Sequence, residues 1–314
     1  NLNEYGTLSV TSKNDIGGVP FHHYQNGYIN PDDLKKIDKY SFKDYEEKRF
    51  SATDCPIECR AIYNVKSGPY SGTEGEGMEA NTIQNFGFKL DIINPAAIIK
   101  AQILCNEFGI DMDTAAESIA WAYECYEKGI LDKSDTDGLE LKWGNHEATI
   151  TLIEKIAYRE DFGDLLAEGV YRASRKIGKG SEKLAVSIKG QDVYESIRMP
   201  KAYGLGAALS TRGGGHCSGS PLTEFSNGQM DPEIAEKIYE LKTADIPHTY
   251  EGKARLVANH EKFHAVLNSL GICFFSTIVN SGDLLTWPDL GELLSAATGW
   301  NIDEDGLKMI GERI

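Results

Sequence analysis

The chain has no apolar run long enough to cross a bilayer as a helix, which excludes a helical membrane span. Cations are in short supply: 32 Lys and Arg face 48 Asp and Glu, for a net charge of -16. Nucleic acid and anionic membrane are bound through clustered Lys and Arg, so neither is an expected partner. Cysteine is sparse as well. Six in 314 residues are too few for a disulfide scaffold, and their spacing suits free or metal-bound thiols in a reducing cytoplasm. The opening Asn1-Leu2-Asn3-Glu4-Tyr5-Gly6 has no initiator Met and none of the basic and apolar regions of a signal peptide, so the reading is an internal start. What is present is ordinary for a globular protein, 41% hydrophobic and 25% charged residues over a length that accommodates two domains.

Along the chain, residues 1–50 read as irregular, with turn chemistry at Ile16-Gly17-Gly18-Val19-Pro20 and a short polar helix after Pro31. The glycine-rich acidic run at 67–79 reads as a loop. It is no Walker loop, because no Gly-Lys-Ser/Thr closes it. Helical spacing then begins at Asn94-Pro95, a cap followed by Pro at the first helical position, and stops at Gly109. Further amphipathic helices are expected at 113–128, 143–158, 163–177, 231–242, 252–267, 290–297 and 303–313. Leu184 to Ile188 is the one clear strand of the central part, and residues 200–221 read as a second irregular, glycine-rich segment. The expected fold class is mainly α, a multihelical arrangement of two helical domains with a few short strands. The linker candidate Gly178-Lys179-Gly180-Ser181 puts the domains at 1–180 and 181–314.

Four features bear on chemistry. Cys55-Pro56-Ile57-Glu58-Cys59 places two thiols one short loop apart, and Cys273 offers a third near the other end of the chain. Three successive glycines precede His216 and Cys217, as when backbone packs closely on a ligand and presents a titratable pair at its edge. His260, Glu261 and His264 satisfy His-Glu-x-x-His, the zinc-protease spacing, but no third ligand stands at a familiar distance, so they read as ordinary helical histidines. The adjacent His22 and His23 read as a loop with two solvated histidines, and Cys105 and Cys125 as small hydrophobes on helical faces.

Two turns repeat one pattern, Asn106-Glu107-Phe108-Gly109-Ile110-Asp111 and Asn268-Ser269-Leu270-Gly271-Ile272-Cys273, each closing a helix. With the Cys55 to Cys59 loop, they resemble the tungsten-containing aldehyde:ferredoxin oxidoreductase family, in its second and third domains. There, two Asp-x-x-Gly-Leu-Asp/Cys turns hold the pterins of a tungsten bis-pterin cofactor, and three clustered cysteines with a distant fourth hold a [4Fe-4S] cluster. Matches at residues 16–20, 75–79, 104–111, 188–190, 212–216, 269–273 and 311–314 follow the family's order, so the resemblance covers nearly the whole chain.

The resemblance implies an oxidoreductase acting at a tungsten or molybdenum bis-pterin. Aldehydes would be oxidised to acids, with electrons passing through the cluster to ferredoxin or an electron-transfer subunit. An aromatic acyl-CoA reductase of the same architecture and a cofactor-free scaffold relative are the alternatives. It assigns catalytic roles to His216, Glu79 and Cys217. Cofactor contacts fall on Asn106, Gly109, Ile110, Asp111, Asn268, Gly271 and Ile272, and metal ligation on Cys55, Cys59 and Cys273. It also implies a cytoplasmic protein, a possible homo-oligomer, and a chain forming the middle of a longer polypeptide whose preceding domain completes the cofactor site. Several positions depart from the pattern. Ala52 takes the place of one cluster ligand, Asn106 and Asn268 replace pterin-binding Asp, Ser218 replaces a Lys, and Asn81 replaces a second Glu beside Glu79.

Overall fold

From Arg60 to Val65 every second side chain is buried, as in a strand covered on one face. This strand, β2, is the centre of a three-stranded antiparallel sheet between β1 (Glu46–Phe50) and β3 (Thr73–Glu76). The computed structural model describes residues 2–10, 14, 16–193, 195, 197, 198 and 200–314. It divides into two compact units, Asn1–Ser196 and Ile197–Ile314. The class is mainly α with a few short strands, as the sequence led us to expect.

In the first unit, the sheet corrects two sequence readings. The stretch before residue 50 contains β1, and the glycine-rich run contains β3 rather than a free loop. Gly75 and Gly77 serve packing: a Cβ on Gly75 would lie 3.2 Å from Ile103 and one on Gly77 would lie 2.9 Å from Gln102. Both neighbours belong to α1 (Pro95–Phe108), which lies against the sheet. Helix α1 starts as predicted, with the Asn94 side chain accepting from Ala96 and Ala97 N–H. Asp111 then caps α2 (Met112–Glu127), followed by α3 (His146–Tyr158). The helix expected over 163–177 breaks at Gly169, where φ is 76°, into a short turn and α4 (Val170–Ile177). The strands β4 (Ser187–Ile188) and β5 (Gln191–Asp192) form a hairpin, and β5 packs on α2 and α4. The unit therefore extends beyond residue 180, where the sequence placed the boundary.

The interior of this unit is held by charge as well as by apolar contact. A fully buried π-helix, Ile83–Lys89, carries the Lys89 ammonium to 2.5 Å from Glu117 Oε2 and 3.0 Å from the Val193 carbonyl. His23 is buried, not solvated. Three consecutive left-handed residues, His22, His23 and Tyr24, turn its ring inward, where Nε2 is 2.8 Å from Glu117 and Nδ1 is 2.6 Å from Glu124. His22 stays at the surface, paired with Asp91 and stacked on Trp143. Burial depresses the His23 pKa, but the two carboxylates outweigh it and the net shift is upward. For Glu117, burial pushes up and is outweighed by Lys89 and His23, so its pKa falls. Asp192 carries a buried, unpartnered Oδ1, and burial with the nearby Glu117 charge raises its pKa to about 7. Cys105 and Cys125 are buried thiols pushed up to about 12, as packed hydrophobes should be.

In the second unit, the segment read as irregular begins with a helix, α5 (Lys201–Leu209), followed by α6 (Pro232–Tyr239), α7 (Lys253–Leu270), α8 (Trp287–Thr298) and α9 (Glu304–Arg313). Glycines obscured α5 in the sequence because they weaken helix propensity. Here they permit contact: a Cβ on Gly206 would be 2.8 Å from Ser220. Helix α7 is the axis of the unit, packing on α5 and α9. Its Phe263, Val266 and Leu267 join Trp287, Leu290 and Leu307 in the core. At its start, the buried Lys253 lies 3.0 Å from the buried Glu224, whose other oxygen accepts from Tyr203 N–H at the head of α5.

Both α1 and α7 end in the same way. Gly109 and Gly271 adopt left-handed φ of 65° and 71°, and the next residue bonds back across the last turn, Ile110 N–H to Cys105 and Ile272 N–H to Leu267, both at 3.0 Å. A Cβ at either glycine would meet nothing, so the demand is purely conformational. Gly109→Ala and Gly271→Ala are each expected to cost about 1 kcal/mol, read as a lowered opening free energy in hydrogen exchange of the adjoining helix. Lys89→Met strips a buried carboxylate of its cation and should lower the opening free energy of α2 by about 3–5 kcal/mol.

The pH dependence has a definite sign. Glu117, lowered from 4.5, contributes fully above that value and less as pH falls through its folded pKa, while His23, raised from 6.5, contributes fully below 6.5 and less as pH rises through its folded pKa. Asp192, raised from 3.8, loses its contribution as pH rises through about 7. Asp192→Asn should therefore protect the hairpin and α2 relative to wild type by an amount that grows from about pH 4 upward and levels off above about pH 7, so that its gain in hydrogen-exchange free energy at pH 8 exceeds that at pH 5 by about 2 kcal/mol.

Candidate functional site

The loop after α5 is held on both sides. Towards α5, Ser220 donates its hydroxyl to the Tyr203 carbonyl at 3.0 Å, in the contact that Gly206 makes possible. Towards α7, Gly219 at φ 141° leaves no room for a side chain, since a Cβ would fall 2.5 Å from Glu261 Cγ and 2.9 Å from Glu261 Cα. Between these contacts, Gly219 and Ser220 N–H both donate to the His216 carbonyl, at 3.2 and 3.0 Å, in a tight turn. The three glycines before His216 are buried, as backbone in close packing should be.

This turn gives His216 and Cys217 their setting. The His216 ring lies near-parallel to Tyr203 at 6.0 Å and edge-on to Phe274 at 6.1 Å, while Cys217 Sγ is exposed and 3.5 Å from His216 Nε2. On α7, His264 Nδ1 is 2.8 Å from the Cys217 carbonyl, and the His264 ring stacks on Phe274 at 5.6 Å. Phe274 therefore carries a histidine on two sides, directly after Cys273. An open cleft of about 600 Å³ lies here, with Thr211, Ser218, Glu261, His264, Asn268 and Ser269 on its walls. The structure thus brings His216, Cys217, Asn268, Gly271, Ile272 and Cys273 into one neighbourhood of the second unit. His264 and Phe274 belong to it and were not singled out for it by the sequence. The available signal was His264 standing one helical turn before Asn268.

The zinc-like His260 and His264 do not work as a pair. Each ring donates from Nδ1 to a backbone carbonyl, His260 to Leu256 at 2.9 Å and His264 to Cys217, and the two line separate cavities. Burial pushes the His260 pKa down to about 4 and lowers that of His264, so both rings are neutral near pH 7. Among the described residues, no group of three or more His, Cys, Asp or Glu is placed to hold a metal ion.

The remaining site residues lie in the first unit. Cys55 and Cys59 occupy the connection between β1 and β2, half-buried and unbridged. That loop is anchored by Arg49, whose Nη1 reaches the Glu58 and Cys59 carbonyls at 3.3 Å, and by Gly6 packed on the Cys59 carbonyl. Glu79 accepts a short hydrogen bond from the Thr7 hydroxyl. The residue is exposed overall, but its carboxyl group is crowded by neighbouring chain, and this desolvation outweighs the Thr7 bond and raises its pKa. Asn106 is committed internally, accepting from Gln102 at 3.0 Å and donating to the Glu76 carbonyl at 2.9 Å. The Asp111 carboxylate accepts the Thr114 N–H as the cap of α2.

The donor chemistry separates the two groups that the sequence resemblance implies. A cubane cluster takes four thiolates. Cys55, Cys59 and Cys273 supply three, and Ala52 supplies none, so the set does not fit a [4Fe-4S] cluster. For a pterin the fit is better in the second unit, where Asn268 is exposed on the cleft and the Nε2 of His264 is buried without a partner.

Comparison with known proteins identifies the family. A family model described as aldehyde ferredoxin oxidoreductase, domains 2 and 3, matches residues 1–314. The tungsten-containing aldehyde ferredoxin oxidoreductases of Pyrococcus furiosus and Thermococcus kodakarensis are each 32% identical over 315 residues, covering the whole of this chain and 48% of theirs. The WOR-like subunit of an aliphatic sulfonate oxidoreductase from Pyrococcus furiosus is 31% identical over 215 residues, covering 66% of this chain and 34% of that subunit. In fold, the chain resembles a chain of the active site complex BamBC of benzoyl coenzyme A reductase in complex with 1,5 dienoyl-CoA. The TM-score is 0.75 at 20% identity, over 98% of this chain and 50% of that one. The chain spans about half the length of the curated relatives it matches, and it belongs to the aldehyde ferredoxin oxidoreductase family, as that family's domains 2 and 3.

Proposed function

We propose that the full-length protein is an oxidoreductase acting at a tungsten or molybdenum bis-pterin centre, oxidising aldehydes to carboxylic acids and passing the electrons to ferredoxin or a partner subunit. Family membership along the entire chain supports the reading. The single structural observation that carries it is the approach of the glycine-rich loop to the end of α7, with the His216 and His264 rings on Phe274 and with Ser218, His264 and Asn268 on the wall of one cleft of the second unit.

When bound, the centre would supply the two-electron redox chemistry. The residues of this chain would position it and handle protons. Conversion of an aldehyde and water to an acid releases two electrons and two protons, and His216, whose Nε2 lies beside the exposed Cys217 sulfur, would take or return a proton. Asn268, with the left-handed turn at Gly271, would hold a pterin edge through its side-chain carbonyl and amide. Asn106 can do the same only by giving up its bonds to Gln102 and Glu76, so the first turn would bind more weakly. Because the thiolate set falls short of a [4Fe-4S] cluster, no electron path is assigned through one.

A second reading, a cofactor-free scaffold relative, is favoured by the same two observations, the internally bonded Asn106 and Ala52. Within the enzyme reading, an aromatic acyl-CoA thioester is the alternative substrate, since Asn81 stands where a second carboxylate would serve aldehyde oxidation. Full-length protein produced with tungstate is expected to contain tungsten and pterin and to reduce a viologen dye when an aldehyde is added. His216→Phe should lower that rate about 100-fold with metal content unchanged. Metal-free, pterin-free full-length protein would overturn the enzyme reading in favour of the scaffold.

A further inference from the structure

Helix α7 presents two polar side chains one turn apart to the same cleft, and among the described residues neither the Asn268 amide nor the His264 Nε2 has a partner. Asn268 is exposed there with no side-chain partner, and His264, 3% exposed, has a buried Nε2 with none. The state of the His264 ring follows from its other nitrogen. A carbonyl only accepts, so Nδ1, 2.8 Å from the Cys217 carbonyl, carries the hydrogen. Burial keeps the ring neutral, and Nε2 is then a lone-pair acceptor. His260, one turn earlier, shows the alternative: its Nδ1 bonds within its own helix, to the Leu256 carbonyl. His264 instead reaches to the glycine-rich loop, and stacking on Phe274 limits its rotation. Buried polar groups are almost always paired, so an orphan acceptor held from two sides at a cleft wall marks a position where a donor from outside the chain belongs.

We infer that His264 is a ligand-contact residue of this cleft, accepting through Nε2 a hydrogen bond from a planar ring whose edge sets an N–H donor beside the group met by Asn268. Such an edge, an amide-like N–H next to a carbonyl or amino group, is that of a pterin, so the inference rests on the proposed function and adds a contact to it. His264 would at the same time hold the Cys217 carbonyl through Nδ1–H, linking ligand occupancy to the position of the His216 turn.

The two nitrogens can be tested apart in the full-length protein produced with tungstate. His264→Asn keeps a donor near the Nδ1 position and removes the distal acceptor, whereas His264→Gln places an acceptor near Nε2 and gives up the proximal donor. The readouts are pterin per chain, measured by fluorescence after oxidative release, its rate of loss on prolonged dilution, and the melting temperature. His264→Asn is expected to melt like wild type and to lose pterin about tenfold faster. His264→Gln should retain pterin close to wild type while melting lower. Equal retention in wild type and a folded His264→Asn overturns the inference and leaves the proposed function standing. If His264→Asn does not fold, a tenfold loss in His264→Gln overturns it, and near-normal retention supports it. Wild-type protein without any pterin overturns the proposed function and this inference with it.

Discussion

The contact on which the candidate site depends is the seating of the glycine-rich turn on helix α7. Gly219 lies against the backbone of Glu261 at a distance that excludes any side chain, and one turn further along His264 holds the Cys217 carbonyl. These two contacts fix a stretch that lacks regular structure and is rich in the residue with the most conformational freedom. Without them, His216 and Cys217 would sit on a mobile loop. With them, both are referred to the same rigid helix whose last turn carries Asn268 and is capped by Gly271, so the His216 turn and the α7 terminus share one frame.

The first unit solves a comparable problem with charge. Its π-helix and the His22 to Tyr24 turn converge on Glu117 through Lys89 and His23, and the end of the β4–β5 hairpin joins them through the Val193 carbonyl on Lys89. Such a network is a poor source of net stability, because desolvating its members costs about as much as their attraction returns. Its effect is on specificity: removing any one member leaves another charged and buried, which penalises alternative packings of the same segments. The Schellman turns at Gly109 and Gly271 fix the helix ends in the same uncompromising way, by conformation rather than by contact.

How much of this was legible depended on the range of the forces involved. Helix starts are local, and Asn94-Pro95, Asp231-Pro232 and Asp303 were read where the structure has them; so were the ends at Gly109 and Gly271. Elements containing glycine for the sake of a distant neighbour were lost. Strand β3 and helix α5 looked irregular because Gly75 and Gly206 are needed by Ile103 and Ser220, which local propensity does not register. His23 was misread for the same reason, since its burial is decided by carboxylates on α2. Within the site, the repeated turns and the His216-Cys217 pair were visible as patterns. His264 was visible only as half of a zinc-like spacing, because its actual partner is a backbone carbonyl that a sequence does not display.

The central claim is that the cleft beside α7 in the second unit is a pterin-binding wall. The most direct measurement is a crystal structure of the full-length protein produced with tungstate, with anomalous data collected at the tungsten edge. The account predicts a tungsten peak and continuous pterin density, with a ring edge against Asn268 and the Nε2 of His264. A cleft filled by solvent or by another part of the polypeptide, with tungsten absent or bound elsewhere, would contradict it.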